Sequence, residues 1–222
     1  MDFDWAVRYS EVHKVCVLFE RVELRNPKRW QYRSLHGYIQ EGPQCGLVAL
    51  AILIEEPTKD KVKEIFEVAK AKCFTYNGEM FSVLQMAELV SGFMPNHIIE
   101  LFEGCLNCDR IKQWLLKGAA LLVPYDTNKD NSPGFHNGHK AHWCVISGAI
   151  ETDDNFFVIA RHGKARNLAI WNINDLADSN QQLFDFSPDR KLQDLEYRLP
   201  EGGIAGPLGL NNKCILIYQK NV

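Results

Sequence analysis

Cys45 stands between a turn and an apolar run. Residues 40–44 read Gln-Glu-Gly-Pro-Gln, and residues 46–54 are apolar on every face. Such a run predicts a short helix that is buried all round and that Pro57 stops. The unpaired N–H groups and the positive macrodipole at a helix N-terminus favour a thiolate, which is the nucleophilic form of cysteine. We therefore predict a nucleophilic thiol at Cys45, with Gly46 leaving its approach open; a buried structural cysteine is the alternative.

A nucleophilic thiol needs a base, and His142 is the candidate. It stands at the mouth of a β-prone run, Trp143 to Ile150, after a loop. A histidine at the start of a strand can face a cleft, whereas one inside an alternating strand is more often a core group. His136 and His139 lie in the preceding loop and are weaker candidates, since solvated or substrate-facing positions are expected there.

A third residue should orient the imidazole of His142 from the neighbouring strand. Thr152-Asp153-Asp154-Asn155 predicts a hairpin turn. If that turn centres near residue 152, His162 lies opposite His142. Asn137 and Asn167 remain alternatives, because an asparagine or an aspartate is the commoner partner. His162 as an ordinary surface histidine is a further alternative.

An oxyanion formed during acyl transfer requires N–H donors. Gln40 stands five residues before Cys45 and could add a side-chain N–H to the backbone N–H of Cys45. Gln44 is the competing candidate. The plainer alternative is a turn glutamine that only satisfies backbone groups.

The pattern of elements predicts an α+β fold. Helices are expected after Cys45, after a Thr58 cap, over 81–90 and over 109–117; the second and the fourth have apolar residues at helical spacing. Short β-prone runs follow at 120–125, 143–150, 156–160, 168–173 and 214–218. Helices first and strands afterwards favour an antiparallel sheet, with the buried helix of Cys45 packed on the sheet of His142. We expect residues 1–222 to form a single domain.

Composition narrows the class of protein. A net charge of -3 argues against a general nucleic-acid binder, because phosphate recognition needs a concentrated basic surface. No apolar run reaches the ~18 residues of a membrane span, and the first residues lack the pattern of a secretory signal. Seven cysteines without a framework fit a reducing compartment. We therefore expect a cytoplasmic protein that binds neither nucleic acid nor membrane.

Several segments, in order along the chain, resemble the actin maturation protease family. These segments lie at 40–51, 138–143, 162–166, 171–183 and 202–206. The resemblance implies a papain-like cysteine peptidase fold and a peptidase without a cofactor. It also implies a substrate, which is the acetylated N-terminal residue, Met or Cys, of immature actin. Vertebrate members carry a proline-rich extension that is thought to engage profilin, and this chain is not expected to recruit profilin by that route.

The implied substrate directs attention to a basic cluster beside His162. Arg161, Lys164 and Arg166 could receive acidic residues just after the scissile bond, if their hairpin flanks the cleft. A solvated basic turn is the alternative.

Three other functions remain open at this point. An acyl or peptidyl transferase, as in phytochelatin synthase, would use the same acyl-enzyme with a nucleophile other than water. A zinc-binding interaction module could use Cys105 and Cys108, or the three histidines at 136, 139 and 142, although a single CxxC is weak evidence. A catalytically silent binding domain is the third.

Overall fold

The computed structural model describes residues 3–187 and 195–220. Within these ranges the helices are α1 Ser10–Leu18, α2 Cys45–Leu53, α3 Lys59–Ala71, α4 Val83–Phe93, α5 Asp109–Leu116 and α6 Ile173–Gln181. The strands are β1 Arg29–Tyr32, β2 His97–Glu103, β3 Ala120–Thr127, β4 Pro133–Gly134, β5 Ala141–Glu151, β6 Phe156–His162, β7 Ala169–Asn172 and β8 Lys213–Gln219. No helix in this described part of the chain has the length and apolarity to cross a membrane.

The strands form one antiparallel sheet. Its path runs β2-β8-β3-β5-β6-β7, while β1 pairs with β5 and β4 pairs with β3. The long strand β5 bonds to β3 in its first half and to β1 in its second. The predicted turn joins β5 to β6, where the N–H of Thr152 donates to the carbonyl of Asn155 at 2.9 Å. Helices and an antiparallel sheet together confirm the α+β prediction.

Helix α2 is buried on every side, as its sequence predicts. The side chains from Leu47 to Leu53 are at most 1% exposed. They pack on β5 and join a core that includes Leu122 and Val145 of the sheet. Each buried leucine or isoleucine contributes about 1.5–3 kcal/mol, so α2 is held firmly and its first residue, Cys45, has a fixed place.

Side-chain caps begin the next two helices. Thr58 accepts the N–H of Lys61 at 3.2 Å at the start of α3, which confirms the predicted cap. Ser82 accepts the N–H of Gln85 at 3.3 Å and starts α4 two residues later than the sequence suggests. Both helices contribute apolar side chains to the core of α2.

Two further cores lie against the same sheet. Helices α5 and α6 pack on the side to which Leu121, Val123 and Ile146 point. The N-terminal segment with α1 packs on Ile159 and Ile170. Strand alternation separates the core of α5 and α6 from the other two cores, because successive side chains point to opposite faces.

The strand register differs from the predicted one. The turn centres between Asp153 and Asp154 rather than near residue 152, and the pairing shifts at an irregularity between Ile146 and Gly148. His162 therefore lies opposite Cys144 and not opposite His142. His142 and His162 become diagonal neighbours on one face, a spacing that aromatic side chains can still bridge.

Candidate active site

A half-open cleft of about 780 Å³ lies where the N-terminus of α2 meets the start of β5. Cys45 and His142 both line it, together with Gln40 and Lys164. Its other lining residues are Gly42, Pro43, Glu79, Met80, Phe81, His139, Lys140, Ala141, Trp143, Phe186, Ser187, Tyr197 and Leu210. The predicted nucleophile and the predicted base thus share one cavity.

The thiol of Cys45 sits at the first residue of α2, as predicted. Burial raises its pKa, while the backbone N–H groups of Trp143, Gly46 and Cys45 itself and the charge of Lys164 act in the opposite direction. Burial outweighs these groups, and the net direction favours the neutral thiol over the thiolate that the helix N-terminus alone predicts. The thiol rests in its neutral form and needs a base to become a nucleophile.

Gly46 lies in a tightly packed position at the start of α2. A Cβ at this position would meet the side chain of Met80 at 3.1 Å and the ring of Trp143 at 3.3 Å. The indole of Trp143 donates to the carbonyl of Met80 at 2.8 Å. These contacts hold the start of α2, the segment around residue 80 and the start of β5 in one arrangement.

His142 is the second residue of β5 and is 3% exposed. It pairs with Tyr125 of β3, whose ring meets the imidazole edge-on with centroids 5.8 Å apart. Burial, followed by the charges of Lys164 and His162, lowers its pKa well below the ordinary histidine value. The imidazole is therefore neutral near pH 7, which is the form that accepts a proton. Among the described residues, its buried Nε2 has no hydrogen-bond partner.

His162 approaches His142 by ring contact. The two rings lie edge-on with centroids 5.9 Å apart, and His162 stacks on Trp171 at 5.9 Å with 13° between the planes. Its Nδ1 accepts the N–H of Lys164 at 3.2 Å. Burial, followed by the charge of Lys164, lowers the pKa of His162 to about 4.

The two alternative orienting residues lie elsewhere. Asn137 accepts the N–H groups of Phe184 and Asp185 with its carbonyl and does not line the cleft. Asn167 is exposed in the turn between β6 and β7. Of the three candidates for this role, His162 alone touches His142 in the described structure.

The two glutamines face different places. Gln40 lines the cleft, its N–H donates to the carbonyl of Gly163 at 2.8 Å, and its Nε2 donates to the carbonyl of Gly42 at 2.7 Å. The side chain of Gln44 packs instead against Gly78 and lines a separate hollow near α3. Of the two glutamines, Gln40 alone lines this cleft, and its Nε2 also satisfies a backbone carbonyl of the turn, as the plainer alternative predicts.

The three residues of the predicted basic cluster, Arg161, Lys164 and Arg166, lie in different surroundings. Arg161 is 2% exposed and binds the carboxylate of Glu11 on α1 and the carbonyl of Arg166, so its assignment to substrate is wrong. Arg166 is exposed but does not line the cleft. Lys164 does line it, and its charge acts on both Cys45 and His142. Strand alternation sends residue 161 to the face opposite residue 162.

The loop histidines have separate surroundings. His136 lies 3.1 Å from Oδ1 of Asn128 through its Nε2, while His139 is exposed and lines the cleft. Across residues 3–187 and 195–220, His, Cys, Asp and Glu side chains nowhere gather in threes as metal ligands do. Neither Cys105 with Cys108 nor the three histidines form such a group.

Sequence reasoning missed several residues of the cleft. Lys140 brings a second cation, and its charge contributes to lowering the pKa of Lys164, for which burial is the main cause. Phe81, Phe186 and Tyr197 form an aromatic wall with ring centroids 4.3–6.3 Å apart. These three are far apart along the chain and carry no local signal. Only Lys140 carries a local signal for the cleft, because it lies two residues before His142.

Comparisons with known proteins identify the family to which the chain belongs. The family model "Actin maturation protease-like, C-terminal domain" matches residues 35–150. An actin maturation protease of Drosophila melanogaster is 43% identical over 216 residues, which is 96% of this chain and 80% of the relative. Those of Mus musculus and Danio rerio are 32% and 31% identical, over 83% and 81% of this chain and 62% and 71% of the relatives. Because the family model covers about half of the chain and the first relative is matched along most of its length, this chain belongs to the actin maturation protease family.

Proposed function

We propose that this chain is a papain-like cysteine peptidase in which Cys45 is the nucleophile and His142 its base. The observation that carries the proposal is the shared cleft: a thiol at a helix N-terminus and a neutral imidazole at a strand start line the same cavity. A nucleophile and a base that can come together in one cavity are the minimum for acyl transfer.

The shifted pKa values of Cys45 and His142 indicate the protonation states in which the reaction starts. Burial raises the pKa of Cys45 and lowers that of His142, so both groups are neutral before attack. His142 takes the thiol proton as the sulfur bonds to the substrate carbonyl. The thiolate and the imidazolium then arise together, and each compensates the charge of the other in the buried cleft.

The remaining steps follow from the same groups. The tetrahedral oxyanion is stabilised by the backbone N–H of Cys45 and by an N–H of Gln40. His142 returns its proton to the leaving amine as the peptide bond breaks, which leaves a thioester on Cys45. Water, deprotonated by His142, then hydrolyses the thioester and restores the thiol. His162 supports His142 as a neutral neighbour on the same sheet face.

The substrate is proposed from the family and from the charges of the cleft. The relatives are named actin maturation proteases, and we assign to this chain the removal of the acetylated N-terminal residue, Met or Cys, from immature actin. Lys164 and Lys140 line the cleft and can receive acidic residues after the scissile bond. All seven cysteines are free thiols, which fits a cytoplasmic site of action.

Acetylated actin N-terminal peptides test the proposal. Peptides that begin with acetylated Met, Cys or Asp are incubated with the protein, and products are read by mass spectrometry. The expected products are the released acetylated residue and the shortened peptide. Cys45→Ala should lower the rate at least ~1,000-fold, since it removes the bond-forming atom. Cys73→Ala, which removes an exposed thiol away from the cleft, is the matched control and should keep full activity.

Two results would contradict the proposal. Normal release by Cys45→Ala would exclude Cys45 as the nucleophile. A product in which the released acyl group is joined to an added amine, with no hydrolysis in its absence, would identify a transferase on the same scaffold.

A further inference from the structure

The loop before His142 is held by a buried carboxylate that no sequence motif indicates. Asp126, near the end of β3, is 0% exposed. Its Oδ2 accepts the backbone N–H groups of His136 and Gly138, both at 2.8 Å, and its Oδ1 accepts that of Lys140 at 3.0 Å. Three alternate residues of the loop are thus bonded to one side chain, directly before the strand that carries His142.

A fourth donor links this carboxylate to a second wall of the cleft. Nε2 of Gln182, just after α6, donates to Oδ2 of Asp126 at 2.7 Å, and Oε1 of the same side chain accepts the N–H of Asn137 at 2.5 Å. The carbonyl of Asn137 in turn accepts the N–H groups of residues 184 and 185. The segment that brings Phe186 to the cleft is therefore tied to the same loop.

The loop follows a path that few residues can adopt. Gly138 has φ +97°, and a Cβ there would collide with the carbonyl oxygen of Asp185. Asn137 has φ 56°, which is also in the left-handed region. Such a backbone persists only where its surroundings fix it, and the four hydrogen bonds to Asp126 do so.

We propose that Asp126 is a positioning residue for the reaction: it holds the loop from His136 to Lys140 so that His142 meets Cys45 and Lys140 faces the cleft. The carboxylate does not line the cleft and touches no reacting atom. Its role in catalysis rests on the proposed function for the identity of the reacting pair. An acceptor with two oxygens is required, because donors approach both of them.

Asp126→Asn tests this requirement with the smallest change of shape. The amide keeps one oxygen and places an NH₂ group where one set of N–H donors now points, so at least one loop bond is replaced by repulsion between donors. The matched control is Asn180→Ala. Asn180 is also 0% exposed and bonds the carbonyls of Pro124 and Lys213, at 2.8 and 3.0 Å, without contacting the loop.

The first measurement is the pH dependence of Cys45 alkylation by iodoacetamide, followed at Cys45 by peptide mass spectrometry, with His142→Ala as the reference for a lost base. The second is kcat on an acetylated peptide. We expect Asp126→Asn to shift the alkylation profile toward that of His142→Ala and to lower kcat tenfold to a hundredfold, since small misplacements of reacting groups have effects of this size. Asn180→Ala should lower thermal stability and leave the profile and kcat unchanged.

An unchanged alkylation profile in folded Asp126→Asn would overturn the proposal, as would an equal shift in Asn180→Ala. If Asp126→Asn does not fold, Gln182→Ala tests whether the bonds to Asp126 position His142. That variant removes one of the four donors and should shift the profile in the same direction by a smaller amount; no shift would overturn the proposal. Alkylation needs no peptide substrate, so a failure of the proposed actin activity is distinguished from a failure of Asp126 as a positioning residue.

Discussion

Arg161 and His162 are adjacent in β6, and the protein buries both side chains by different means. Arg161 points toward α1 and is bound by the carboxylate of Glu11. His162 points toward His142 and Trp171, and burial lowers its pKa to about 4, so it carries no charge near neutrality. One basic group keeps its charge and is paired, while the other gives up its proton.

The difference follows from the chemistry of the two side chains. A guanidinium does not lose its proton in a protein, so burial requires a counter-charge. An imidazole can become neutral at little cost near pH 7. The uncharged residue, His162, is the one that lies beside the candidate reacting groups. An additional fixed positive charge there would oppose an imidazolium on His142. The ion pair between Arg161 and Glu11 instead attaches the N-terminal segment to the sheet.

The largest expected effect comes from removing the counter-charge of Arg161. Glu11→Ala leaves the buried cation with only the carbonyl of Arg166 and should lower the free energy of unfolding by about 3–4 kcal/mol, the lower part of the range for buried pairs, because Glu11 is 34% exposed. Peptidase activity below the unfolding transition should be retained. Chemical denaturation with an activity assay in the absence of denaturant measures both quantities.

Glu23→Ala is the matched control for that experiment, because Glu23 pairs with Arg21 nearer the surface. Its expected effect is below ~1 kcal/mol. A Glu11→Ala protein as stable as Glu23→Ala would show that Arg161 does not depend on its partner, and the comparison with His162 would fail.

A second effect concerns His162 and acid. Its folded pKa of about 4 lies below the ~6.5 of an unfolded histidine. Between these values the unfolded chain binds more protons, so the stability that is fully present above about pH 6.5 is lost as the pH falls toward 4. The loss is on the order of 3 kcal/mol. His162→Gln should therefore lose less stability than the wild type over this window, as measured by denaturation at several pH values.

His142, whose pKa is lowered as well, keeps part of the slope in that variant. An NMR titration of the His162 ring offers an independent measurement. A ring that titrates near 6.5, or stability curves of the variant and the wild type that run parallel, would contradict the neutral burial of His162.

The smallest expected effect is at Lys164, whose side chain borders the cleft and is not enclosed in the way that those of Arg161 and His162 are. Lys164→Met should raise KM for a peptide with acidic residues after the scissile bond by about tenfold relative to a neutral peptide, which is the value of one charge-assisted hydrogen bond of ~1.5 kcal/mol. Steady-state kinetics on the two peptides measure the ratio.

Arg166→Met provides the control, because Arg166 is also exposed but lies outside the cleft lining. Its KM ratio should not change. Equal increases for the acidic and the neutral peptide in Lys164→Met would remove Lys164 from substrate binding.

Local patterns predict the parts of this site that are encoded locally. The helix after Cys45, the Thr58 cap and the hairpin at 152–155 depend on neighbouring residues, and the structure has all three. Cys45 and His142 are identifiable from a turn, a helix start and a strand start, and they line one cleft.

The rest depends on properties that neighbours in sequence do not determine. The pairing irregularity between Ile146 and Gly148 and the position of the turn place His162 opposite Cys144. The burial of Arg161 depends on its ion pair with Glu11, which lies 150 residues away in the sequence. Helix α6 is not predicted because two of the five residues that it buries are polar, so its apolar pattern is weak. Asp126 is not predicted because its donors belong mainly to the backbone.

The raised pKa of Cys45 has a consequence for chemical damage. Peroxide and other oxidants attack the thiolate, and oxidation past the sulfenic acid is irreversible for most cysteines. In the proposed reaction the thiol of Cys45 stays protonated until a carbonyl is in place, so little of the vulnerable thiolate is present between turnovers. The resting enzyme should therefore tolerate oxidative conditions that inactivate peptidases with a preformed thiolate, and its inhibitors will need an electrophile that binds the cleft before it reacts.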